Sequence, residues 1–175
     1  MTRYSTVIHG AHSRLDMAAA AQALVEGVML GNYRFRELKA ADEDDGHDLE
    51  AVTVTEFDKE NMPDVEEGVR VGENIASATC FARDLSNRPA NIVTPTYLAD
   101  TAQRLASELG LRCQVLGPEE IAAQGMGGLA AVARGSTEPA RFIILEHRAG
   151  EEGLRTVVLV GKGVTFDAGG ISLKQ

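Results

Sequence analysis

An α/β fold, a mixed sheet flanked by helices, is what the sequence predicts. Three observations predict it. Helical apolar periodicity recurs in three long stretches. Short runs rich in β-branched residues fall between and after them. Glycines and prolines punctuate the two kinds of segment. The chain has 175 residues, 44% hydrophobic and 25% charged, enough for one ordinary domain or for one small domain plus part of another.

Met1 to Ser13 show no clear period and are expected to form a loose terminal segment. His9 and His12 make a His-x-x-His pair, but no third ligand lies nearby, so metal binding there is disfavoured. From Leu15 to about Lys39 the pattern is helical, with Leu24, Val25, Val28 and Met29 on one stripe and Ala18 and Ala21 a turn before. Asp16 is placed to cap the start. Gly27 and Gly31 weaken the helix by about 1 kcal/mol each against Ala; their spacing would also let another element pack closely. Tyr33 and Phe35 follow as aromatic anchors. Asp42 to Asp48 is an acidic run, read as a solvated loop because adjacent carboxylates repel and do not converge. Leu49 to Phe57 reads as a strand, with Val52 and Val54 alternating with Thr53 and Thr55.

Pro63 and Asp64 open a second helix to about Leu85, with Val71, Ile75, Ala78, Ala82 and Leu85 as its expected inner face. Arg88-Pro89 ends it. Thr94 is a cap and Pro95 suits the first helical position, so a third helix follows with Leu98, Ala102, Leu105 and Leu109 on one stripe and Gly110 as its stop. Leu111 to Leu116 reads as a short strand. Pro118 to Ile121 starts a short helix that breaks at Gly125 to Gly128. Strands are expected at Leu129 to Ala133, Arg141 to Glu146 and Thr156 to Val160, the last with the uninterrupted apolar run of a buried strand.

A formal net charge of -9 argues against nucleic acid or an anionic membrane as partner, since both need clustered Lys and Arg. No apolar run approaches a bilayer-spanning length, and the first residues lack a signal-peptide pattern. Cys80 and Cys113, far apart, are expected to be reduced and buried, which fits a cytoplasmic protein.

The chemistry is concentrated in Gly161-Lys-Gly-Val-Thr-Phe-Asp-Ala-Gly-Gly-Ile-Ser-Leu-Lys174, irregular backbone at the end of the last expected strand. It fails as a phosphate loop, because Lys162 is followed by Gly163 rather than Ser or Thr. It fails as a dinucleotide fingerprint, because Phe166 stands where the third glycine belongs. As a metal and acid–base site it has suitable donors. Asp167 is a hard oxygen ligand able to bridge two divalent ions. Lys162 ligates only as the neutral amine, so its pKa, about 10.4 unperturbed, must fall strongly beside a dication. Lys174, kept protonated, would stabilise charge developing on a carbonyl oxygen. The competing reading is a glycine-rich loop with solvated lysines.

That motif closely resembles the first signature of the leucyl aminopeptidase (cytosol aminopeptidase) family of two-metal exopeptidases, with thirteen positions in register. Asn87-Arg-Pro-Ala-Asn-Ile-Val-Thr-Pro-Thr-Tyr-Leu-Ala99 resembles the opening of that family's catalytic domain. Ala23 to Phe35 resembles the helix that joins its N-terminal domain to it. The resemblance implies a remnant of the N-terminal domain and linking helix over 1–45 and a truncated metallo-aminopeptidase catalytic domain over 46–175. It implies Lys162 and Asp167 as metal ligands and Lys174 as the catalytic lysine that polarises the scissile carbonyl. It implies two divalent ions, with the choice among Zn²⁺, Mn²⁺, Mg²⁺ and Co²⁺ open, attack by a metal-bridging water, and a bicarbonate held on an arginine. Peptides with a free N-terminus are the implied substrates, and a homo-hexamer the implied assembly of the complete enzyme.

The chain departs from the pattern in what it lacks: a further metal-binding aspartate just after the catalytic lysine, and a later Asn-Thr-Asp-Ala-Glu-Gly-Arg signature carrying two more carboxylates and the bicarbonate arginine. Ala168 and Gln175 also differ from the family's common choices there, without removing a ligand. The expectation is a fragment, inactive alone. Alternatives are a non-catalytic binding or assembly module, with an unpaired edge strand inviting association, and one half of a split enzyme.

Overall fold

A computed structural model describes residues 2–9, 16–38, 49–148 and 150–166. It is α/β, in two compact units, Met1–Arg88 and Pro89–Gln175. The joint expected near residue 45 lies in 39–48, outside the described residues.

The first unit opens with strand β1 (Thr2–Val7), helix α1 (Met17–Asn32) and strand β2 (Leu49–Thr55). β1 pairs in parallel with β2, Arg3 opposite Ala51 and Val7 opposite Thr55, which makes a β-α-β unit. The loose terminal segment expected over Met1 to Ser13 is therefore corrected: Thr2–Val7 is a strand whose partner lies far along the chain, and its polar-rich sequence hides the alternation. Asp16 caps α1 as expected, its carboxylate accepting from the Ala19 N–H at 2.7 Å. At the other end Asn32 clasps β2: its amide donates to the Leu49 carbonyl and its carbonyl accepts from the Leu49 N–H, both at 3.2 Å. The expected stripe of α1 is half-buried, with Leu24, Val28 and Met29 lining a cleft of about 380 Å³ against Val52 and Val54 of β2.

After a 3₁₀ turn (Lys59–Asn61) comes α2 (Met62–Asn87), packed along α1. Its buried positions are Val65, Gly68, Gly72 and Ala76, at helical spacing. This corrects the expected face of Val71, Ile75, Ala78, Ala82 and Leu85, of which Ile75, Ala78 and Ala82 are exposed. Glycine decides the interface. A Cβ on Gly68 would collide with the Ala18 carbonyl oxygen and lie 2.8 Å from the Ala21 Cβ; one on Gly72 would lie 2.9 Å from the Gln22 carbonyl oxygen. Close approach was expected at Gly27 and Gly31 instead, but nothing lies within 4 Å of a Cβ built on either. Ile8, Ala20, Ala21 and Val65 form the unit's core, with Met17, Val54 and Val69 against it.

The second unit holds α3 (Pro95–Leu109), β3 (Arg112–Leu116), α4 (Pro118–Ala123), α5 (Gly127–Ala133) and β4 (Phe142–Glu146). Thr94 caps α3, its hydroxyl accepting from the Tyr97 N–H at 3.1 Å. Gly110 ends it in the left-handed region at φ 67°, as the stop signal requires. Ala99, Ala102 and Ala106 are buried on α3, which packs against β3 and β4. β3 and β4 pair antiparallel, Val115 opposite Ile143, with Arg112 opposite Glu146 and ion-paired to it at 3.3 Å. Ile121 of α4 is 1% exposed.

Two further expectations are corrected. Leu129 to Ala133 belongs to helix α5, not a strand: alanine favours helix and no partner strand is at hand. Thr156 to Val160 carries no regular secondary structure and pairs with no strand among the described residues, and its apolar side chains face solvent. The described strands thus form two separate two-stranded sheets, one parallel and one antiparallel. Cys80 and Cys113 carry free thiols and are half-buried rather than buried. Among the described residues no helix is long and apolar enough to cross a membrane.

Candidate metal and acid–base site

Of the three residues expected to carry chemistry, Lys162 is described, and Asp167 and Lys174 lie outside the described residues. Lys162 is exposed on irregular backbone just after the apolar run Val157–Val160, between Gly161 and Gly163. Both glycines have open space where a Cβ would stand, so the backbone around the amine is unobstructed.

The donor chemistry bears directly on a metal. Among the described residues no group of three or more His, Cys, Asp and Glu side chains could hold an ion. His9, the described half of the His-x-x-His pair, shares a 3.0 Å hydrogen bond with the Thr6 hydroxyl, and His12 lies outside the described residues, as does the acidic run 42–48. One lysine amine and one aspartate carboxylate fall short of the four or more donors that a divalent ion takes. Lys162 and Asp167 by themselves would therefore not complete a metal centre.

The segment that resembles the opening of the catalytic domain is well organised. Pro89 to Thr94 folds as consecutive turns, with the Pro89 carbonyl accepting from the N–H groups of Ile92 at 2.9 Å and Val93 at 3.0 Å. Val93 is buried, and the chain enters α3 directly.

A polar cluster that periodicity did not reveal ties the exit of α1 to the end of α2. The Tyr33 hydroxyl donates to the Asp84 carboxylate at 2.7 Å and accepts from the Asn87 amide at 3.1 Å. The Arg83 guanidinium lies 5.4 Å from the centre of the Tyr33 ring and donates to the Leu30 carbonyl at 3.2 Å. Arg88 pairs with Glu37 at 2.7 Å. Burial, then the hydrogen bond to Asp84, pushes the Tyr33 phenol above its ordinary value. The aromatic pair at Tyr33 and Phe35 was the one sequence signal for this anchor; its partners lie some fifty residues on and follow no local pattern. The cluster is structural and holds no arrangement suited to acid–base work.

A model of the catalytic domain of the cytosol aminopeptidase family matches residues 80–175. The chain belongs to the cytosol aminopeptidase family. The match runs from the last turns of α2 through the whole second unit and includes the three expected site residues. Among similar sequences, a protein of Syntrophotalea carbinolica named "Probable cytosol aminopeptidase" is 42% identical over 98% of this chain and 35% of its own length. One of the same name from Geotalea uraniireducens is 44% identical over 98% of this chain and 34% of its own length. Among solved structures, the bottromycin maturation enzyme BotP in complex with Mn is 40% identical, with a TM-score of 0.76 over 93% of this chain and 32% of the BotP chain. The chain thus spans about a third of the length of the cytosol aminopeptidase relatives it matches.

Proposed function

We propose that this chain carries one side of the catalytic centre of a metal-dependent aminopeptidase, which removes leucine and similar residues from the free N-termini of peptides. The observation that carries the reading is the Gly161–Lys174 motif, in register at thirteen positions and lying inside the matched catalytic domain. Lys162, as the neutral amine, and Asp167, through its carboxylate, would hold part of a pair of divalent ions. Lys174, protonated, would sit against the scissile carbonyl and stabilise the negative charge that develops on its oxygen. The ions, when bound, supply Lewis acidity and an activated water. That BotP is in complex with Mn supports a divalent ion for the family centre, with Zn²⁺, Mg²⁺ and Co²⁺ as alternatives.

Two ligands do not make a two-metal centre, so the 175-residue chain alone is expected to release no leucine from a leucyl anilide with Mn²⁺ or Zn²⁺ present. The reading is tested by grafting residues 80–175 into the Syntrophotalea carbinolica protein in place of its matching segment. The hybrid should cleave the anilide. Lys174→Met should lower kcat by a factor of roughly 10²–10³, the usual cost of one oxyanion donor. Asp167→Asn should lower the metal content. A hybrid that keeps full activity with Lys174→Met removes Lys174 from the chemistry, and one that keeps full metal content with Asp167→Asn removes Asp167 from the ligands.

A further inference from the structure

We draw no further inference here: the strongest candidate, the apolar cleft of about 380 Å³ that Leu24, Val28 and Met29 of α1 form with Val52 and Val54 of β2, carries nothing because nothing in the structure shows what covers it.

Discussion

Gly68 and Gly72 set the distance between α1 and α2, and their replacement separates two effects of glycine. In a helix alanine is favoured over glycine by about 1 kcal/mol. At Gly68 the added methyl would meet the Ala18 carbonyl and the Ala21 methyl, so the helices must part. Overpacking costs typically about 1–3 kcal/mol, which outweighs the propensity gain, and Gly68→Ala is expected to lower stability. Gly27→Ala, where the Cβ position is open, is expected to raise it by up to about 1 kcal/mol. Urea midpoints of the two variants, measured side by side, check both signs. Tyr33 offers a second test at this scale. Its folded pKa is raised, so the stability its neutral hydroxyl contributes is present below the ordinary phenol range and lost as pH rises through the folded value. Tyr33→Phe should destabilise the chain at neutral pH and flatten the alkaline limb of its stability curve, read by denaturant unfolding across that range.

At the scale of elements, caps and stops were the most legible features. Asp16, Thr94, Pro95 and Gly110 act through hydrogen bonds and dihedrals that are local to the chain, so the residue type nearly determines the outcome. Asp16→Ala and Thr94→Ala should each cost about 1 kcal/mol, seen as a lower urea midpoint with helical content otherwise kept. Faces and pairings were less legible. The inner face of α2 went to Gly68 and Gly72 because periodicity weights large apolar residues, whereas tight helix packing selects small ones. β1 was hidden because its identity as a strand depends on β2, across the whole of α1. Leu129 to Ala133 and Thr156 to Val160 are short apolar runs that periodicity alone does not assign; without a paired neighbour the first became helix and the second joined no sheet.

Across the whole molecule, two short-range ion pairs tune the response to acid. Arg70 holds the Glu67 carboxyl below its ordinary value through a hydrogen bond at 2.6 Å, and Arg148 does the same for Glu151 at 2.8 Å. A depressed carboxylate contributes stability above its unfolded pKa and loses it as pH falls through the folded one. Unfolding midpoints should therefore drop as pH passes from neutral to below the ordinary glutamate range. Both pairs are exposed, so the drop from these groups should be small and should shrink with added salt. Glu67→Gln should remove its share of the acid-side slope while changing little at neutral pH. The family was legible from one motif because metal and carbonyl chemistry fixes residue types at fixed spacing. The centre itself was not, since its geometry depends on groups beyond Lys162 that lie outside the described residues or outside this chain's match.

The clasp between Asn32 and Leu49 has a consequence for how this fold tolerates change. The Asn32 amide offers one donor and one acceptor to Leu49, as a peptide group in a neighbouring strand would. The base of the connection from α1 to β2 is thereby closed by a side chain. Residues inserted between them add only ring-closing entropy, about 0.6 kcal/mol for each doubling of length, and leave the β1–β2 register as it stands.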